Sequence, residues 1–231
     1  MKPLLMVDCY QDGASAAPNF LRYLNRPAAV VRAVSDPIPK DLRAYSGMVI
    51  SGSSASVLDP PFWIPPLQTL VEQAANEHIP VLGVCFGHQL LAHALVGDQT
   101  VRLAPRAEVG WVDIEVMKPD PIFQSLESGF RTFVSHADEV AATGPGMTVL
   151  ARSAQCENHA FRMDDLPIWG VQFHSEMDYA ENEEIVVGRA RRHPELQIVP
   201  KKLLADYVDS TPIAQILFGN FVDQLEGPDD R

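Results

Sequence analysis

Apolar positions follow one rhythm in the first third of the chain and another after it. Leu4 to Cys9, Ala29 to Val34, Met48 to Ser51 and Val81 to Val84 are short, nearly unbroken apolar runs, the pattern of strands buried on both faces. Between them lie helical spacings. Asn19 to Leu24 is one. Leu67 to His78 is another, with Leu67, Leu70, Val71 and Ala74 on one face. Ser53 to Pro66 is loop-like and rich in Ser and Pro, and Pro80 separates the second helix from the strand after it. Strands alternating with helices predict a parallel sheet with right-handed crossovers.

Past residue 100 the strands crowd together. Thr100 to Leu103, Val112 to Met117, Arg131 to Ser135, Thr148 to Arg152, His159 to Met163 and Ile168 to Phe173 all look like strands, and several follow one another with only short turns. That spacing predicts antiparallel pairing or a mixed sheet. Glu181 to Arg192 predicts a helix, with acids at its start and bases at its end to match the macrodipole, stopped by Pro194. Pro212 to Leu225 predicts a closing amphipathic helix, and Glu226 to Arg231 a frayed tail. The expected fold is a single α/β domain spanning 1–231, an open, mostly parallel but mixed sheet flanked by helices.

Composition narrows the function classes. With 231 residues, 46% of them hydrophobic, the chain can bury a large core. No apolar run approaches the ~20 residues of a membrane span. The N-terminus lacks an export signal, so the expected location is the cytoplasm. A net charge of −12 argues against a nucleic-acid partner, which wants a basic face. The three cysteines, Cys9, Cys85 and Cys156, are widely spaced without a C-x-x-C pair. That disfavours a disulfide framework or zinc knuckle and leaves open a reactive thiol in a reducing compartment.

The densest chemistry lies in Gly83-Val84-Cys85-Phe86-Gly87-His88-Gln89. An apolar strand runs into it. A helix carrying Leu90, Leu91, Ala94 and Leu95 leaves it and stops at Gly97. Cys85 therefore sits on a sharp strand-to-helix turn, the elbow of G-x-S-x-G with sulfur in place of oxygen, and the flanking glycines permit close backbone approach. The helix N-terminus favours the thiolate, and the free Phe86 N–H can stabilise an oxyanion. A bare G-x-C-x-G is equally compatible with a buried structural cysteine and needs a base elsewhere. Gln172-Phe173-His174-Ser175-Glu176 offers one. His174 follows a predicted strand, as Cys85 does, and C-terminal strand ends gather on one edge of a parallel sheet. His174 can act as base and acid there, with Glu176 fixing its tautomer. The other reading is a polar residue at a sheet edge. Among the remaining histidines, His78 and His93 read as helix residues, and His159 and His193 have no evident partner. None shows a local metal-ligand spacing.

Three patterns stand in order: Ser51-Gly52-Ser53 after a strand, G-V-C-F-G-H-Q, and Q-F-H-S-E. Gly110-Trp111 and Ser135-His136-Ala137-Asp138-Glu139 fall between them. Together, from Leu4 to Glu176, they resemble the class I (triad) glutamine amidotransferases, with their flavodoxin-like architecture. The resemblance implies a Cys85-His174-Glu176 triad. It implies an oxyanion hole from Gly52-Ser53 and Phe86. It also implies glutamine contacts from Gln89 and from the backbone near Ser135 and His136; the competing reading of Gln89 is a first-turn helix polar residue, and Ser135-His136 reads equally as a turn. Two positions depart from the family pattern. Gly52-Ser53-Ser54 replaces the common Gly-Gly-Pro, and a serine lacks glycine's access to positive φ. Ser175 stands where proline is usual.

The implied reaction releases ammonia from the γ-carboxamide of glutamine through a Cys85 thioester, with no metal or organic cofactor. The ammonia would go to a separate synthetase, since the chain carries no P-loop-like motif. This S-G-S version, together with C-F-G-H-Q, looks more like standalone members than like synthetase-fused domains; it is similar to amidotransferase domains of GMP synthases and to γ-glutamyl peptidases acting on glutathione-like compounds. A non-catalytic domain binding a small amide or a partner is the remaining alternative. The loop Asp59 to Pro66, with Phe62 and Trp63, reads as a docking patch or a substrate-site wall.

Overall fold

The structure is a computed structural model that describes residues 1–11 and 15–225. The expected frayed tail, Glu226 to Arg231, lies outside the described residues. The first half builds strands β1 (Leu4–Asp8), β2 (Ala28–Arg32), β3 (Met48–Ile50) and β4 (Val81–Val84). Helices α1 (Ala17–Leu24), α2 (Ile64–Asn76) and α3 (Phe86–Val96) accompany them. The second half builds β5 (Val101–Val116), β6 (Gly129–Val140), β7 (Met147–Arg152), β8 (Ala160–Met163) and β9 (Ile168–Val171). Helices α4 (Tyr179–Arg192), α5 (Pro200–Leu204) and α6 (Thr211–Asp223) close the chain.

All nine strands join one sheet in the order β2-β1-β3-β4-β9-β8-β7-β5-β6. The first five in that order are mutually parallel, and the rest pair antiparallel. The mixed α/β sheet is thus as the patterning implied, and its parallel part has the flavodoxin-like order. The two separate strands expected at Thr100 to Leu103 and Val112 to Met117 are instead, apart from Thr100 and Met117 themselves, the two ends of β5. Its register against β6 slips between Leu103 and Glu108, at the stretch holding Pro105. A proline cannot donate to a ladder, so the pairing is interrupted there while the strand continues. Helix α5 was not expected. Five residues are too few to show a period.

Side-chain alternation along the buried strands divides the core between the two sheet faces. On β1, Leu5 and Val7 pack with Leu67, Leu70 and Val71 of α2 and Leu90 and Leu91 of α3. Leu4 and Met6 pack on the other face with Phe20 and Leu24 of α1 and Leu217, Phe218 and Phe221 of α6. Trp63 precedes α2 and is part of the first core, stacked at a tilt on Phe86 with ring centroids 5.4 Å apart. It is therefore not available as a docking or wall residue, whereas Phe62 beside it is 81% exposed. No helix among the described residues is long and apolar enough to cross a membrane.

Candidate active site

The parallel ladder brings Gly52, Cys85 and His174 to one edge. Val84 of β4 lies opposite Val171 of β9, and the Cys85 N–H donates to the Val171 carbonyl at 2.8 Å. The loop after β3 carries Gly52, and the loop after β9 carries His174. Cys85 itself has φ 53° and ψ −101°, the strained elbow that turns the strand into α3. The glycines around it answer to packing. A Cβ on Gly83 would lie 2.4 Å from the Gly87 carbonyl, and one on Gly87 would lie 2.5 Å from the Ile50 carbonyl. The turn is this tight because α3 passes directly over β3 and β4.

His174 is pinned at both ends of its peptide. Its N–H donates to the Phe133 carbonyl at 2.8 Å, and its own carbonyl accepts from Thr132 Oγ1 at 3.1 Å. Its Nδ1 meets Glu176 Oε1 at 2.6 Å, both side chains being buried. That leaves Nε2 for the sulfur. A Cβ on Gly52 would lie 2.9 Å from His174 Cε1 and 3.6 Å from Cys85 Cβ, so only glycine fits above the pair. Burial pulls the imidazole pKa down, but the charges of Glu176 and Cys85 outweigh it and push it up to about 10. A protonated imidazole beside sulfur stabilises a thiolate.

These groups open on a cavity of about 360 Å³. Of the sequence-derived residues, Cys85, His174, Ser53 and Ser135 line it. Ser53 is not among the non-glycine residues with positive φ, so the position never required glycine. Its Oγ donates to the Cys9 carbonyl at 2.7 Å and accepts from the Ala55 N–H at 3.0 Å, tying the β1 and β3 loops together. Phe86 supplies the first N–H of α3, one of the groups a helix cannot satisfy internally. Gln89 and His136 do not line the cavity. The Gln89 amide donates to the Asp138 carbonyl at 2.8 Å and to Gln172 Oε1 at 3.0 Å. His136 belongs to β6 rather than to a turn, and its ring faces Glu108.

Sequence reasoning missed the wall that α4 contributes. Arg189 read as a complement to the helix dipole, yet its Nε donates to Ser135 Oγ at 3.1 Å and its Nη2 to the Ser135 carbonyl at 3.0 Å. Arg192, Glu181, Glu184, Met177 and Tyr10 also line the cavity. The helical period could have shown Ile185 and Arg189 sharing a face. A larger, shallow depression of about 680 Å³ runs along residues 116–128 and contains no cysteine or histidine.

The family model of glutamine amidotransferase class-I matches residues 5–188. The chain belongs to this family. A glutamine-hydrolysing GMP synthase subunit from Methanopyrus kandleri is 34% identical over 178 residues, 77% of this chain and 91% of that protein. Its counterpart from Pyrococcus abyssi is 38% identical over 120 residues, 52% of this chain and 63% of that protein, so the match spans less than two thirds of the latter. The crystal structure of a glutamine amidotransferase from Methylobacillus flagellatus superposes with a TM-score of 0.78 at 26% identity, covering 98% of this chain and 96% of that one.

Proposed function

We propose that this chain hydrolyses the γ-carboxamide of glutamine through a γ-glutamyl thioester on Cys85. The observation that carries this reading is a strained cysteine beside a histidine held by a buried carboxylate, with the cysteine and the histidine both lining a cavity. The thiolate attacks the amide carbon, and the oxyanion is met by the N–H groups of Phe86 and the Gly52-Ser53 loop. The His174 imidazolium gives its proton to the departing nitrogen as the C–N bond breaks, releasing ammonia. Water then attacks the thioester. His174 takes its proton, glutamate leaves and the thiolate returns.

The far wall suits an amino-acid head group. Two of the five Arg189 N–H donors are used on Ser135, which leaves others for an α-carboxylate. Glu184 on the same helix offers the matching anion for an α-ammonium. The ammonia acceptor belongs on a separate synthetase polypeptide, since the GMP synthase relatives are themselves named as subunits. Free, buried cysteines fit a reducing cytoplasm. The test is incubation of the purified chain with glutamine, glutathione and γ-glutamyl dipeptides, following ammonia and free amine. Ammonia from glutamine that disappears in Cys85→Ala is the expected result. Amine from the peptides alone would replace this reading with a γ-glutamyl peptidase. Unchanged ammonia release by Cys85→Ala would end it.

A further inference from the structure

A second set of cysteine, histidine and carboxylate side chains lies buried away from the cavity. Glu108, His136, Cys156 and His159 each offer one donor atom, and the four atoms all lie within 4.8 Å of one another. They come from three places on the sheet. Glu108 follows the β5 bulge and faces His136 across the β5–β6 ladder. Cys156 and His159 lie within the short β7–β8 connection. There Ser153 Oγ accepts from the Cys156 N–H at 3.1 Å and donates to Glu108 Oε1 at 2.9 Å. We propose that these four side chains form a closed, structural site for a thiolate-binding divalent cation, zinc above all.

The first reason is the convergence. Glu108 Oε2 meets His136 Nε2 at 3.0 Å and His159 Nε2 at 2.9 Å, so two ring nitrogens aim at one oxygen. The second is the orientation of the rings. His136 Nδ1 lies 3.0 Å from the Asp138 carbonyl, which only accepts, so Nδ1 is held on that side and Nε2 is the nitrogen turned toward the shared Glu108 oxygen. The third is charge. Zinc with one thiolate, one carboxylate and two neutral imidazoles sums to zero, the condition for burying an ion in a sheet. Tetrahedral zinc separates such donors by about 3.3–3.6 Å, so the N···O contacts of 2.9–3.0 Å would open slightly and the widest pair, within 4.8 Å, would close by up to about 1.5 Å. The Asp138 carbonyl behind His136 and the Ser153 hydroxyl behind Glu108 are the outer partners that orient metal ligands. On binding, the Cys156 thiol proton leaves to solvent.

Such an ion would brace the catalytic face from behind. His136 is next to Ser135 in the cavity wall, and the His159 carbonyl accepts from the Gln172 N–H, two residues before His174. The test uses the full-length protein, stripped with a chelator and then titrated with zinc and with cobalt. One equivalent per chain is expected, with a thiolate-to-cobalt charge-transfer band and a Tm that rises with the logarithm of free zinc. Cys85→Ala should keep that band, and Cys156→Ser should lose it. His159→Gln preserves a donor toward Glu108 and should stay folded by circular dichroism while losing stoichiometric binding. A stripped wild type that takes up neither metal, or that binds cobalt without a thiolate band, overturns the proposal even if both variants fail to fold. So does binding that survives both substitutions.

Discussion

Two regions of this molecule hold the same three residue types and do opposite things with them. At the cavity, Cys85 stands beside His174, whose Nδ1 is held by Glu176 at 2.6 Å. In the sheet interior, Cys156 stands near His159, whose Nε2 is held by Glu108 at 2.9 Å. The choice of nitrogen separates them. Holding Nδ1 leaves Nε2 for a proton transfer at the sulfur, whereas drawing two Nε2 atoms and a sulfur to one carboxylate encloses a point. The backbone separates them too. Cys85 is lifted by its φ of 53° onto the first turn of a helix and lines a cavity. Cys156 sits in a hydrogen-bonded turn, 1% exposed, where burial pushes its thiol up to about 12. Residue type alone therefore does not make a nucleophile. Access, the freed nitrogen and a helix N-terminus do.

The largest expected effect tests that contrast directly. Cys85→Ala should cost about 10⁴-fold or more in kcat, while Cys156→Ser should lower Tm and keep measurable turnover. Alkylation followed by peptide mass mapping should modify Cys85 in the native protein, and Cys156 and Cys9 only after unfolding. Equal labelling of all three would erase the distinction.

Glu176→Gln keeps the size of the side chain and removes its charge, and should lower kcat by about 10²–10⁴-fold. It also has a pH signature. The folded pKa of His174 is raised from 6.5 to about 10, so its stabilising contribution is complete below 6.5 and fades as pH climbs through about 10. Urea unfolding of the wild type should show this decline across that window, and the Gln variant should show a flatter one. An identical slope in both would mean that Glu176 does not hold the imidazolium. Next in size is Gly52→Ala. Its methyl would meet His174 Cε1 at 2.9 Å, displacing the ring for a loss of about 10²-fold in kcat with little change in Tm. Arg189→Gln, further from the reacting atoms, should raise KM by about 10- to 100-fold, as expected for one charge-assisted hydrogen bond, with a smaller change in kcat.

The sequence showed what depends on local pattern. The buried strands, the elbow and the order of Cys85, His174 and Glu176 could all be read, because each sits where an apolar run ends. What stayed hidden depends on pairing across long separations. His159 had no partner in its own neighbourhood because Glu108 reaches it from β5, 51 positions earlier. Gln89 matched a motif for glutamine contact, yet its amide ties α3 to β6 and to the segment after β9. Arg189 lay within a helix already explained by its charge gradient, and only the packing of α4 over the cavity turns it inward.

Ser53 carries the smallest effect and the finest test of the site's backbone. Its family counterpart is commonly glycine, and glycine matters where φ must be positive. Ser53 has no such φ, so Ser53→Gly relieves no strain. It does remove the 2.7 Å hydrogen bond to the Cys9 carbonyl, and it gives the unfolded chain more freedom to lose. Together these should lower stability by about 1–2 kcal/mol, read from chemical denaturation. Glycine keeps a backbone N–H at this position, so kcat should stay near that of the wild type if the loop keeps its shape. A large fall in kcat with stability intact would mean that the serine hydroxyl itself, through the β1 loop, sets the position of the oxyanion donors.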